Sequence, residues 1–130
     1  MNKIVIILCL LFLAGCTSNK KKGDFTNEDV SRVIEKMTDI MIHDVTNPPL
    51  ASRFFSYACL AGYEVIAQND PKFKSYRNVL KGYPLIRKPD SIQNYSYPLA
   101  AILSMLQTAK KMQPSGSLLE QYEKRFLDSC

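Results

Sequence analysis

Between Asn47-Pro48-Pro49 and Asn69-Asp70-Pro71 lies LASRFFSYACLAGYEVIA, residues 50 to 67, a run that is apolar almost all round. The flanking prolines remove backbone donors and push the residue before them out of helical geometry, so the run reads as one helix with both ends set. Pro49 itself suits a first helical turn. A helix that is apolar on every side belongs at the centre of a bundle and is expected to be packed on several faces.

The rest of the chain supplies partners for it. Thr26 with Asp29 forms a capping-box pattern ahead of Val30, Val33, Ile34, Met37, Ile40 and Met41 at helical spacing, which predicts an amphipathic helix over about 27–45. Lys74 to Lys81 predicts a short helix closed by Gly82, and residues 83–95, with Pro84 and Pro89 and no periodicity, read as a surface loop. Ser96-Tyr97-Pro98 opens a helix from Leu99 to about Met112, with Leu99, Ile102, Leu103, Leu106 and Ala109 on one face. Pro114-Ser115-Gly116 breaks it, and Ser117 with Glu120 predicts a capping box for a last helix carrying Leu118, Leu119, Tyr122, Phe126 and Leu127. The stripe of Leu119, Tyr122 and Phe126 runs to the end of the sequence. It is expected either to dock on the preceding bundle or to meet a missing C-terminal region or another chain. No strand-like alternation or internal repeat occurs, so the expected class is all-α, an irregular bundle of four to five helices.

The N-terminus has a different build. Lys3 precedes an unbroken apolar run from Ile4 to Ala14, too short to span a bilayer and shaped like a secretory signal. It ends in Leu13-Ala14-Gly15-Cys16, which resembles the bacterial lipoprotein cleavage box. The resemblance implies a signal peptide over 1–15, lipid on Cys16, and an exported chain tethered to a membrane without crossing it. Thr17 in place of an aspartate after Cys16 leans toward the outer membrane. Residues 16–25, with Lys20, Lys21 and Lys22 in a row, have the composition of a flexible tether, and 26–130 is left as the helical domain.

Charge and cysteine counts both shrink once the leader is removed. The chain carries 17 Lys and Arg against 12 Asp and Glu. Lys3 leaves with the signal and three more cations sit in the tether, so the folded part is almost neutral. With no basic stripe interleaved with aromatics in view, no nucleic-acid partner is expected. Cys9 goes with the signal and Cys16 takes lipid, leaving Cys59 and Cys130. An exported compartment would permit these two to pair, but Cys59 lies inside the apolar helix, where a buried free thiol is the favoured reading. The lone histidine, His43, argues against a zinc site.

On the central helix Arg53, Tyr57 and Glu64 fall within about 40° of one another, while Arg53 and Glu64 stand roughly 16 Å apart along the axis and cannot pair. Each charge needs a partner elsewhere if it is buried. Asp44, across the proline turn, is the nearest candidate for Arg53. A structural ion pair or capping contact is the favoured role of Asp44, Arg53, Tyr57 and Glu64, with an interaction stripe as the alternative.

The block from Met41 through His43-Asp44-Val45-Thr46-Asn47-Pro48-Pro49 to Arg53, continuing to Tyr57-Ala58 and Ala61-Gly62-Tyr63-Glu64, resembles the opening helices of exported lipoproteins in the vanadium-dependent haloperoxidase and type 2 phosphatidic acid phosphatase superfamily. The resemblance covers about 28 to 130 and implies that this chain corresponds to the N-terminal quarter to third of a longer protein. In that family catalysis belongs to later segments: a lysine six residues before Arg-Pro, a Pro-Ser-Gly-His, and a Ser-Arg segment with the final histidine. The cations clamp phosphate or vanadate oxygens and the histidines act as nucleophile or ligand and as acid or base.

Two segments imitate these motifs imperfectly. Lys81 precedes Lys88-Pro89 at the family's spacing, with lysine where the bidentate arginine fork belongs. Pro114-Ser115-Gly116-Ser117 has serine where a proton-relaying histidine belongs. The third segment is absent, and His43, on the first helix, reads as a solvated residue near a turn. No catalytic residue and no cofactor is therefore expected within this chain, because vanadate or phosphate would need the missing region. The resemblance leaves the chain as the helical portion of an enzyme family without that family's catalytic histidines. A stand-alone envelope lipoprotein serving as a protein-binding or structural module is the alternative.

Overall fold

A computed structural model describes residues 25–83 and 95–129. Every regular element among its described residues is helical, with four α-helices: α1 Asn27–His43, α2 Pro48–Ala67, α3 Tyr97–Met112 and α4 Leu119–Asp128. Short 3-10 turns at Tyr76–Asn78 and Gly116–Leu118 punctuate the connections.

Each of the first three helices begins where a local signal places it. The Asp29 carboxylate accepts the Thr26 N–H at 2.8 Å. Asn47 Oδ1 accepts the Leu50 N–H at 3.0 Å, with Pro48 and Pro49 in the first turn of α2. Ser96 caps Leu99 ahead of Pro98 in α3. Helix α1 ends two residues earlier than the sequence suggested. Val45 adopts a φ of 50°, its N–H reaches Ile42 O, and the Thr46 N–H reaches Met41 O at 2.8 Å. This is a Schellman closure, completed before the proline pair can act. It holds a β-branched residue in the left-handed region, which normally costs about 1–2 kcal/mol.

The core joins all four helices: Val33, Met37, Ile40 and Met41 of α1 meet Phe54 and Ala58 of α2, Ile102, Met105, Leu106 and Ala109 of α3, and Leu119 and Phe126 of α4. Helix α2 packs chiefly on α3. Small residues make this possible: Ala58 is fully buried, and a Cβ on Gly62 would stand 2.8 Å from Met105 Cγ and 3.3 Å from the Ala101 carbonyl oxygen.

Four sequence expectations are corrected here. Helix α2 is not enclosed: it buries Phe54, Ala58, Gly62 and Glu64, while Ser52, Arg53, Ser56, Tyr57 and Cys59 are exposed. Cys59 is thus an exposed free thiol and not a buried one, because it is rotated about 100° from the Ala58 seam; pairing with Cys130 lies outside the described residues. The expected helix over Lys74–Lys81 is one 3-10 turn, followed by Gly82 at a φ of 75°. The Ser117–Glu120 capping box does not form, because Ser117 lies inside the 3-10 turn Gly116–Leu118, which leads directly into α4 and leaves Leu118, in helical geometry, at the N-cap position.

The apolar stripe of α4 takes the first of its two expected courses. Leu119 is 1% exposed and Phe126 is buried, with Phe25 at a ring distance of 5.9 Å and Tyr122 stacked at 6.4 Å. Leu119 and Phe126 are thus packed within the chain, while Tyr122 is half-buried and lines, with Leu119, a shallow groove of about 330 Å³ between α1 and α4.

Candidate functional site

Glu64 sits on α2 with 3% of its surface exposed, and its partners come from the segment that follows the helix. Its Oε2 accepts the Ser75 hydroxyl at 2.7 Å and its Oε1 accepts the Tyr76 N–H at 2.7 Å. One residue earlier, the Tyr63 hydroxyl donates to the Lys74 carbonyl at 3.0 Å, and its ring meets Phe73 and Tyr76 edge-on. Asp70 Oδ1 takes the Lys72 N–H, and Ser75 Oγ takes the Arg77 N–H. A charged carboxylate needs strong donors when it leaves water, and two short bonds from one turn supply them. Burial, and then the negative charge of Glu64, holds the Tyr83 phenol above its usual range.

The segment fastened in this way has an uneven composition. From Lys72 to Lys81 it carries Lys72, Lys74, Arg77 and Lys81 and no acid. Between these cations Phe73, Tyr76, Val79 and Leu80 are all exposed, Val79 by 72%. None of the four cations makes an ion pair among the described residues; the ion pairs there involve Arg32, Lys36, His43 and Lys110. Acids are found instead on α1, at Glu28, Glu35 and Asp39, and on α4, at Glu120, Glu123 and Asp128, interspersed there with Arg32, Lys36, Lys124 and Arg125. A whole-chain charge count hid this basic stripe with interleaved aromatics, because the α1 and α4 acids cancel it.

The lower end of the α2 stripe has a different fate. Asp44 does not pair with Arg53. Its side chain, 8% exposed, takes the Ser115 N–H at 3.0 Å and lies 3.1 Å from His43 Nδ1. Hydrogen bonds from Ser115, then from His43, hold the Asp44 carboxyl below the ordinary carboxylate range. Beside it the buried Gln113 donates through Nε2 to the Met37 carbonyl at 2.9 Å, and its Oε1 has no partner among the described residues. Arg53 and Tyr57 remain exposed and without an ion pair among the described residues. The stripe of Asp44, Arg53, Tyr57 and Glu64 therefore divides into two structural clasps and an open patch.

The segments that imitate phosphate-binding motifs can be tested on the same geometry. Lys81 and Ser117 are exposed; Lys88 and Pro89 lie outside the described residues, as does Cys16. The Ser115 N–H, which could have met an oxyanion, is given to the Asp44 carboxylate. A Cβ on Gly116 would stand 2.1 Å from the Lys110 carbonyl oxygen, so the turn is pressed against the end of α3. An anion placed there would face a carboxylate, and these residues do not fit vanadate or phosphate.

A shallow groove of about 290 Å³ runs between α2 and α3, lined by Tyr57, Leu60, Ala61, Thr108, Met112 and Tyr83. Among the described residues no helix is long and apolar enough to cross a membrane, and no group of three His, Cys, Asp or Glu could hold a metal ion. Comparison with known proteins finds no matching family model, no matching curated protein and no matching solved structure.

Proposed function

We propose that the chain is an exported lipoprotein held to the cell envelope through lipid on Cys16, its helical unit being the non-catalytic N-terminal portion of a haloperoxidase- and acid-phosphatase-like protein. The use made of the 113–116 turn carries the non-catalytic part of this reading: Asp44 takes the Ser115 N–H, so a carboxylate stands where a phosphate clamp needs donors and cations. The anchor is supported by Lys3, the apolar run to Ala14 and the Leu13-Ala14-Gly15-Cys16 box.

Intact-mass measurement of the mature protein tests the anchor. The wild type should begin at Cys16 with acyl chains attached, and Cys16→Ser should lose that mass and its place in the membrane fraction. Phosphate-ester hydrolysis by wild type and by Lys81→Ala should give the same background rate; a rate that falls with Lys81 overturns the non-catalytic reading.

One observation favours the alternative of a stand-alone protein-binding module. With Leu119 and Phe126 buried in the bundle, the outer side of α2 still presents Leu50 and Tyr57 to solvent beside the α2/α3 groove. The downstream reading frame separates the two readings, since segments carrying the family's three catalytic motifs favour the first.

A further inference from the structure

We propose that the 72–81 segment is a second, non-covalent membrane contact, which lays the C-terminal end of α2 against an anionic lipid surface. The proposal rests on the anchored reading for its proximity to a membrane, but its chemistry is independent of Cys16. Lys72, Lys74, Arg77 and Lys81 stand without an acid in the segment and without an ion-pair partner among the described residues. Cations in this condition are available to lipid phosphates and carboxylates. The side chains between them are the kind that enter the headgroup and acyl boundary: Phe73 and Tyr76 as aromatics, Val79 and Leu80 as aliphatics, all exposed.

The buried Glu64 gives the segment its fixed shape. By holding Ser75 and Tyr76 at 2.7 Å, and with Tyr63 holding the Lys74 carbonyl, α2 orders a loop that would otherwise lose backbone freedom on binding. Glu64 is here a positioning residue, turned inward where it cannot repel an anionic surface directly. The acids of α1 and α4 lie on other helices, where Arg32 and Lys36 already pair with two of them, so the unpaired cations of the segment are the ones left to meet an anionic bilayer. Lys20, Lys21 and Lys22 follow the lipidation box in sequence and add to the same attraction.

Single-stranded nucleic acid also favours cations beside aromatics. There, however, the aromatic faces do the stacking, whereas here the most exposed apolar side chain of the segment is the aliphatic Val79. Hydrocarbon accommodates a valine and a leucine, and a base does not stack on either.

The chain contains no tryptophan, so Val79→Trp places a single reporter at the centre of the segment. The full-length variant is reconstituted with vesicles of phosphatidylcholine alone or with about a third phosphatidylglycerol. On the anionic vesicles the indole emission should move to the blue and be quenched by lipids brominated on the acyl chain. Ile42→Trp, at an exposed position in the last turn of α1, which leads into the N-terminal end of α2 while the segment follows its C-terminal end, should stay solvent-exposed on the same vesicles. Adding Lys72→Gln and Lys74→Gln should lower the docking equilibrium constant, read from titration with anionic vesicles, by ~25-fold, ~fivefold per cation, and high salt should also weaken it.

No blue shift on anionic vesicles, or an equal shift on neutral ones, overturns the proposal. So does a shift produced by a single-stranded oligonucleotide or by raised protein concentration but not by vesicles, which would assign the segment to nucleic acid or to a second copy. A mature protein without acyl mass on Cys16, yet with the Val79→Trp shift intact, defeats the anchored reading and leaves the lipid contact standing.

Discussion

Asp44 and Glu64 are both carboxylates withdrawn from water and both are answered by backbone N–H groups and hydroxyls, yet they fasten different amounts of the molecule. Glu64 holds Ser75 and Tyr76, eleven and twelve residues on, and so fixes only the segment that follows its own helix. Asp44 reaches Ser115, 71 residues away, and ties the end of α1 to the turn between α3 and α4. A local clasp shapes a surface, whereas a long-range clasp helps to close the bundle. Neither acid needed the arginine that charge-pairing logic assigned to it, because a carboxylate accepting short bonds from N–H and O–H donors is already compensated.

The largest expected effect comes from breaking the long-range side. Gly116→Val puts side-chain atoms where the Lys110 carbonyl stands 2.1 Å from the Cβ position, and the turn must move off α3, carrying the Ser115 N–H away from Asp44. A loss of about 3 kcal/mol, the upper end for overpacking, should appear as a lower urea midpoint. Glu64→Ala should do something narrower. It removes the acceptor of the Ser75 hydroxyl and the Tyr76 N–H, two hydrogen bonds together worth about 2 kcal/mol, and loosens the clasped segment. Hydrogen exchange should quicken at Tyr76 while amides in the middle of α1 keep their protection. If both substitutions speed exchange across the whole bundle equally, the local and long-range distinction is wrong.

The acid limb of stability sharpens the comparison further. Asp44 is held below its ordinary value of 3.8 by Ser115 and His43. A carboxylate lowered in the folded state contributes stability that is fully present above the unfolded value and is lost as pH falls through the folded one. Wild type should therefore weaken below about pH 4 relative to Asp44→Asn, which should be less stable at neutral pH and should approach wild type as the pH falls. Urea midpoints taken at several pH values measure this, and parallel curves would remove Asp44 from the account.

Much of the helical layout was legible because its signals are local. Thr26 with Asp29, Asn47 before two prolines, and Ser96 before Tyr97-Pro98 each act within one turn, and each caps the helix it announces. The buried side of α2 was not legible from polarity, since the helix is apolar nearly all round. Its clue was size: Ala58 and Gly62, four residues apart, permit the close approach to Met105. The partner of Asp44 depends on a fold-wide closure that no window of sequence contains. The cations of 72–81 were plain in the sequence but vanished when charges were summed over a chain whose acids lie on other helices.

Val45 offers the smallest effect and the one that most closely isolates the Asp44 side. It is almost fully exposed and holds a φ of 50° only because the Schellman closure of α1 demands a left-handed residue there. Glycine meets that demand without a Cβ penalty of about 1–2 kcal/mol, but it also frees the unfolded chain by roughly 0.5–1 kcal/mol. Val45→Gly should therefore stabilise by only about 0.5 kcal/mol, the difference of the two. Because the closure itself is kept, the Asp44 bond to Ser115 should persist and the acid limb should be unchanged in shape. A loss of stability instead would mean that the Val45 side chain supports the turn, and that the strain beside Asp44 is maintained by contacts of its own.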